Sequence, residues 1–405
     1  MIAAGPHATD SRYAAMRLVV AVLLMTLGAS GMYVVPVALP AVQAEFGIAR
    51  AAAAMPYALL MIGFGVGGLL MGRLADRFGV MVPIMIGATG LGLGFVAAGH
   101  ARDIREFNLA HGFLIGLLGS SATFSPLLAD TSLWWVRRRG IAVAICASGN
   151  YLGGAVWPPL VQHFIEGHGW RDTYIGMGVV CASLMLALAT FMRERPPVLV
   201  ASANPSGTTA KSSHPFGLAL ATALVLLMIA GLACCVAMSM PQVHIVAYCG
   251  DLGYGPARGA EMLSLMLGFG IVSRLVSGAL SDRIGGLRTL LLGSALQGVA
   301  LLLFLPFDGL VSLYVISALF GLFQGGIVPS YALIIREHFP AARAGALVGA
   351  VIMCTLFGMA LGGWMSGKLF DLTGSYRAAF WNGIAWNALN LTIAFFLLRR
   401  SLRKK

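Results

Sequence analysis

Long apolar stretches separated by short polar turns run through the chain from residue 17 to residue 398. A helix needs about 20 mainly apolar residues to cross a hydrocarbon core. Twelve stretches qualify, at 17–40, 52–72, 80–99, 104–129, 140–163, 171–192, 216–246, 258–280, 287–305, 310–334, 344–367 and 375–398. Continuous runs of this length predict helices; membrane barrel strands are marked instead by short segments of alternating polarity. One stretch breaks the rhythm, from Arg193 to Pro215, where ERPP, SANPSGTT and KSSHP follow one another. Proline, serine and charge without periodicity predict a flexible linker at 193–215. It divides the chain into an N-terminal six-helix bundle, 1–192, and a C-terminal one, 216–405.

Composition agrees. Hydrophobic residues make up 59% of the 405 positions and charged residues 10%, against about 25% charged in a soluble domain. The net charge of +12 raises the question of nucleic acid, but its placement answers it. With the N-terminus cytoplasmic, 19 of the 27 Lys and Arg fall on cytoplasmic segments, seven fall outside, and Arg274 lies within a span. That asymmetry is the positive-inside pattern. It predicts a multi-pass protein of the cell's inner (plasma) membrane with both termini cytoplasmic, and leaves no basic face for nucleic acid. The first span is too long for the core of a cleaved signal peptide. The six cysteines form no C-x-x-C pair and have no histidine at zinc spacing, so neither a metal nor a cofactor is expected.

The halves repeat. Gly72-Arg-Leu-Ala-Asp76-Arg77-Phe-Gly79 follows the second span and Gly278-Ala-Leu-Ser-Asp282-Arg283-Ile-Gly285 follows the eighth, 206 residues later. A looser pair, Arg138-Arg-Gly-Ile-Ala and Ala342-Arg-Ala-Gly-Ala, opens the fifth and eleventh spans. Matching loops at half the chain length imply six helices per repeat, the logic of a two-bundle transporter with its site near mid-membrane. The glycines permit tight turns and close helix approach. The acids suit a helix N-terminus or an arginine. Gly72, Asp76, Arg77, Gly278, Asp282 and Arg283 are therefore expected to latch helix ends in one transport state. Gly63-x-Gly65-x-x-Gly68 matches a dinucleotide fingerprint only as a string, since no strand precedes it.

Ionisable groups inside a span are costly and tend to be functional. Arg274 stands eight residues before Asp282, about 12 Å inside the end of the eighth helix at ~1.5 Å per residue. It cannot shed its proton, so it needs an anion or water. No acid lies at similar depth; Asp130 and Glu261, near helix ends, are the closest. A guanidinium so placed suits a carboxylate substrate bound through two hydrogen bonds, or an internal partner such as Asp130 or backbone carbonyls. On the seventh span Pro241 predicts a kink, and His244 is either a proton-coupling group or a satisfied structural histidine.

The paired loops identify the chain as resembling the major facilitator superfamily, an all-α integral membrane fold of twelve transmembrane helices in two pseudo-symmetric six-helix bundles. More narrowly, Pro241-x-x-His244-x-x-x-Tyr248-x-x-Asp251-x-Gly253, the run from Ser273-Arg274 to Gly285, Trp134 to Gly149, Pro158-Pro159 and Gly169-Trp170-Arg171 resemble the monocarboxylate transporter and oxalate/formate antiporter families. The resemblance implies that Arg274 binds the substrate carboxylate. It also implies that the first, fourth, seventh and tenth helices line the cavity, with the fifth, eighth and eleventh beside them. Tyr33, Phe124, Asn150, Gln242, His244, Gln324 and Tyr331 then become candidate substrate contacts. Two departures matter. The first span has Tyr33 and no lysine, and Gly270 stands one turn before Arg274, where proton-coupled animal members carry an aspartate. The middle of the eleventh span, Cys354, Thr355 and Phe357, lacks the second cation of oxalate-type members. One buried cation favours a monoanion, since a second carboxylate would lack a counter-charge.

The expected function is secondary active transport of small organic anions, monocarboxylates above others, with protons as a candidate coupling ion. The alternatives are a major facilitator efflux carrier for drugs or other metabolites, and a membrane sensor or enzyme. A carrier of bulky cations would want an acid at mid-depth. An enzyme would want a nucleophile–base pair, and the sequence displays none.

Overall fold

The computed structural model describes residues 9–195, 215–340 and 343–403. Positions 196–214 of the predicted linker and Ala342 of the looser repeat lie outside them. Among the described residues, eleven helical runs are long and apolar enough to cross a membrane. One of them, Arg139–Met192, spans 54 residues, about 80 Å at ~1.5 Å per residue and far more than one crossing needs. Gly169 interrupts it with φ +81° and ψ 162°, a conformation open to glycine. It is therefore two helices, and twelve result. These are α1 (Arg12–Phe46), α2 (Arg50–Phe78), α3 (Met81–Gly99), α4 (Ile104–Trp134), α5 (139–168), α6 (170–192), α7 (Leu220–Asp251), α8 (Pro256–Ile284), α9 (Gly286–Leu303), α10 (Leu310–His338), α11 (Ala344–Thr373) and α12 (Tyr376–Arg403).

Packing divides the described residues into two compact units. The first holds the chain up to Ile48 and from Ala52 to 195; the second holds Ala49–Ala51 and everything from 215 onward. The repeat seen in two loops extends to the backbone. Left-handed glycines recur in matched pairs, Gly47 with Gly253, Gly79 with Gly285 and Gly169 with Gly374. Each pair is separated by 205 or 206 positions. Pro36 inside α1 is matched by Pro241 inside α7. Both α4 and α10 are broken midway. In α4, wide π-helical turns at Ala110–Gly119 give way to a tight 3-10 turn at Ser120–Thr123 before the helix resumes at Ser125. In α10 the break falls between Gln324 and Ile327.

Within each unit small residues let helices approach closely, as expected where lipid and side chains are equally apolar. In the first unit a Cβ on Gly63 would sit 2.1 Å from the Gly112 carbonyl oxygen, so α2 and α4 touch through their backbones. In the second unit a Cβ on Gly321 would sit 1.9 Å from the Met266 carbonyl oxygen, bringing α10 equally close to α8. Helix ends are capped locally. Asp103 accepts from the Arg105 and Glu106 amides at the start of α4 (2.8 and 2.9 Å), and Ser11 accepts from Ala14 at the start of α1 (3.2 Å).

Candidate functional site

In the second unit the seam between α8 and α10 sets the site. Gly321, Gly325 and Gly326 of α10 lie against Met266, Gly270, Ser273 and Ser277 of α8. That contact fixes the rotation of α8 about its axis. Phe269, Val272, Leu275 and Val276 form its exposed apolar side. At ~100° per residue, Val272 and Val276 each lie about 160° around the helix from Arg274. Arg274 shares its side with the buried Leu263, Leu267 and Gly270, and its side chain is half-buried. The cation is thus turned into protein and away from the lipid-type surface.

On the neighbouring helices, Gln242 of α7 donates through Nε2 to Oε1 of Gln324 of α10 at 3.0 Å, both side chains being buried. The Nε2 of Gln324 has no hydrogen-bond partner among the described residues. An amide donor buried without an acceptor costs about 1–3 kcal/mol.

The other expected contacts of this unit are committed elsewhere. The Tyr331 hydroxyl donates to Oδ1 of Asn390 at 3.0 Å, and Asn390 donates to Oγ of Ser294 at 2.7 Å, which ties α10 to α12 and α9. His244 is fully buried, with Nε2 2.7 Å from the Gly363 carbonyl oxygen and Nδ1 3.0 Å from the Tyr376 hydroxyl. A carbonyl only accepts, so Nε2 carries a proton, and both ring nitrogens are occupied.

In the first unit, Tyr33 of α1 donates to Oδ1 of Asn150 of α5 at 3.1 Å, so two of its three expected contacts meet. Phe124 sits at the α4 break, its ring centroid 5.8 Å from that of Phe64 on α2. The loop residues behave differently from one another. Asp76, Arg77, Asp282 and Arg283 are exposed. The turns beside them close on Gly79 and Gly285, whose amides donate to the Ala75 and Ser281 carbonyls at 2.8 and 2.9 Å. The anion that caps the following helix is Glu337 of α10, which accepts from the Gly286 amide at 3.0 and 3.2 Å.

Two ionic nodes built on buried arginines lay beyond the reach of the sequence, which reads Arg17 as a cytoplasmic flank and Arg50 as an outer one. Arg17 is 2% exposed and Asp130 6%. Nε and Nη2 of Arg17 both donate to the Asp130 carboxylate at 2.9 Å, and the guanidinium also reaches the Phe191 and Met192 carbonyls at 3.4 and 3.3 Å. Arg50 donates twice to Asp251 at 3.1 Å and once to the Tyr376 hydroxyl at 2.8 Å, over the face of Phe370. Asp371 accepts from the Arg50 and Ala51 amides at 2.8 and 2.9 Å. The partners are 113 and 201 positions apart, and no local pattern joins them. Among the described residues no three His, Cys, Asp or Glu side chains are grouped to hold a metal ion.

Twelve apolar helices in two repeated sets, bound by glycine seams and carrying cations turned into protein, define a multi-pass membrane carrier. The family model described as the Major Facilitator Superfamily matches residues 20–312 and 261–405, and the chain belongs to that superfamily. Monocarboxylate transporter 13 of Bos taurus is 29% identical over 315 residues, covering 76% of this chain and 71% of that protein. The uncharacterized MFS-type transporter YcxA of Bacillus subtilis is 26% identical over 340 residues, 81% of each chain. Among solved structures, the nucleoside transporter NupG superposes with a TM-score of 0.72 at 15% identity, over 96% of this chain and all of that one, a likeness of fold.

Proposed function

We propose that this transporter carries small organic anions, monocarboxylates above others, by secondary active alternating access, and that Arg274 takes the substrate carboxylate. The observation behind this reading is a permanently charged guanidinium on the protein-facing side of α8, in a chain similar to monocarboxylate transporter 13. Its fork of donors matches a carboxylate bidentately, and a half-buried setting strengthens that pairing over one in water. Gln242 and Gln324 are the second polar contact, Gln324 Nε2 donating to a substrate acceptor. Tyr33, Asn150 and Phe124 are candidate substrate contacts of the first unit, taken by itself. His244 and Tyr331 serve as supports, since their polar atoms are already bonded within the protein. In this reading the protein sits in the cell's inner (plasma) membrane with both termini cytoplasmic, and the loops at Gly72–Gly79 and Gly278–Gly285 hold helix ends in one transport state.

Export of bulky cations fits less well. It calls for an acid free to pair with cargo, and the buried Asp130 and the part-exposed Asp251 are each held by an arginine.

Flux measured in proteoliposomes tests the proposal. Arg274→Ala and Arg274→Lys are both expected to abolish carboxylate uptake while thermal unfolding stays near that of the unaltered protein. Undiminished uptake by Arg274→Ala removes Arg274 from the site. An imposed inward-acid gradient tests coupling: accumulation is expected for proton symport, and indifference to the gradient leaves exchange or facilitated diffusion.

A further inference from the structure

Outside the candidate site, the first unit carries an apolar groove of about 340 Å³ between α5 and α6. Its walls are Trp157, Phe164 and Val180, and its rim carries His168 and Asp172. The cause is local. Gly169 turns the chain sharply between the two helices, and Gly176 leaves the wall open, since a Cβ there would meet no atom within 4 Å. Trp157 cannot swing in to fill the space, because its indole N–H is held by the Thr26 carbonyl at 2.7 Å. Phe164 and Val180 are exposed.

The dimensions and the charge are both informative. From His168 down to Trp157 is eleven residues of α5, and from Asp172 to Val180 eight residues of α6, about 16 and 12 Å at ~1.5 Å per residue. Half of a ~30 Å hydrocarbon core is about 15 Å, so the groove is about as long as a single leaflet is deep. The charged residues flanking these two in the chain are already used. Arg171 binds Glu45 at 2.7 Å and the Gly99 and Ala101 carbonyls, and Glu166 accepts from Gln162 at 2.9 Å. Asp172 makes no ion pair among the described residues. The rim therefore offers one carboxylate for a cation and one imidazole able to donate to an anion, above a largely apolar slot.

We infer that this groove binds one phospholipid whose head carries a primary amine, its acyl chain between α5 and α6, its ammonium on Asp172 and its phosphate on His168. A zwitterionic head with a donor-rich ammonium meets both rim groups. A quaternary head offers no N–H to the carboxylate, and an anionic head sets charge against Asp172.

Full-length protein stripped of lipid in detergent is mixed with phosphatidylethanolamine, phosphatidylcholine or phosphatidylglycerol of identical acyl chains, and retained lipid is counted by native mass spectrometry. The unaltered protein is expected to retain one phosphatidylethanolamine in preference to the other two. Gly176→Leu, which fills the groove, is expected to lose that retention. Val180→Trp fills the same space from an exposed position, and stands in if Gly176→Leu unfolds early in a thermal scan. Asp172→Asn is expected to keep a lipid but lose the preference between heads. Equal retention of the three lipids by the unaltered protein overturns the proposal, as does unchanged retention by the folded groove-filling variants.

Discussion

The two buried arginines, one in each unit, form an instructive pair. Arg17 and Arg50 both bind an aspartate through two nitrogens, and both lie under an aromatic face. Their surroundings differ. Around Arg17 the carboxylate is buried and the remaining donors end on carbonyls at the C-terminal end of α6, where a cation also meets the favourable end of the helix dipole. Around Arg50 the aspartate is 35% exposed, and the network continues through Tyr376 to His244 and Gly363. The first node is closed and screened from water; the second is a chain of bonds with one end wet. A buried pair is hard to break because whichever charge remains is stranded, whereas water can replace an exposed partner. The same two residue types therefore make a rigid rivet in one unit and a yielding clasp in the other.

Substitutions can break or sharpen that contrast. The largest effect is expected from Asp130→Asn, which strands Arg17 and should cost about 3–5 kcal/mol. Thermal or denaturant unfolding in detergent measures it, and Arg17→Met combined with Asp130→Leu should recover most of the loss. Tyr376→Phe comes next. It removes the acceptor of a buried Arg50 N–H and the partner of His244 Nδ1, at a cost of about 2 kcal/mol. Hydrogen exchange at the Ala51 amide, held by Asp371, should quicken in this variant if the clasp works as a unit. Asp251→Asn should be the mildest, about 1 kcal/mol, because the group is already partly hydrated. If Asp251→Asn destabilised as much as Asp130→Asn, the distinction between rivet and clasp would be lost.

Much of the fold was legible in the chain. The long apolar runs gave the number and place of the helices, and Gly72–Gly79 against Gly278–Gly285 gave the repeat, because a turn that requires a positive φ tolerates little besides glycine. The candidate site was legible only in part. Arg274 could be picked out because charge within an apolar run is costly wherever it points. Tyr33 with Asn150, and Gln242 with Gln324, are polar residues on apolar helices, and the structure joins each as a pair. His244 and Tyr331 carried the same sequence signal, yet their partners are Gly363, Tyr376 and Asn390, residues with nothing in the sequence to mark them. Glu337 was missed as a helix cap for a similar reason: it stands 51 positions from the amide it holds.

The sequence by itself determined which segments are long and apolar enough to cross a membrane and that loop motifs recur half a chain apart. The first property follows from the transfer of each segment from water to hydrocarbon, a local quantity that sums along the chain. Only the tertiary structure decided which charges are spent on one another and which face the interior. A guanidinium's partner is chosen by helices meeting at glycine seams, and such contacts between distant segments have no counterpart in any local stretch of sequence.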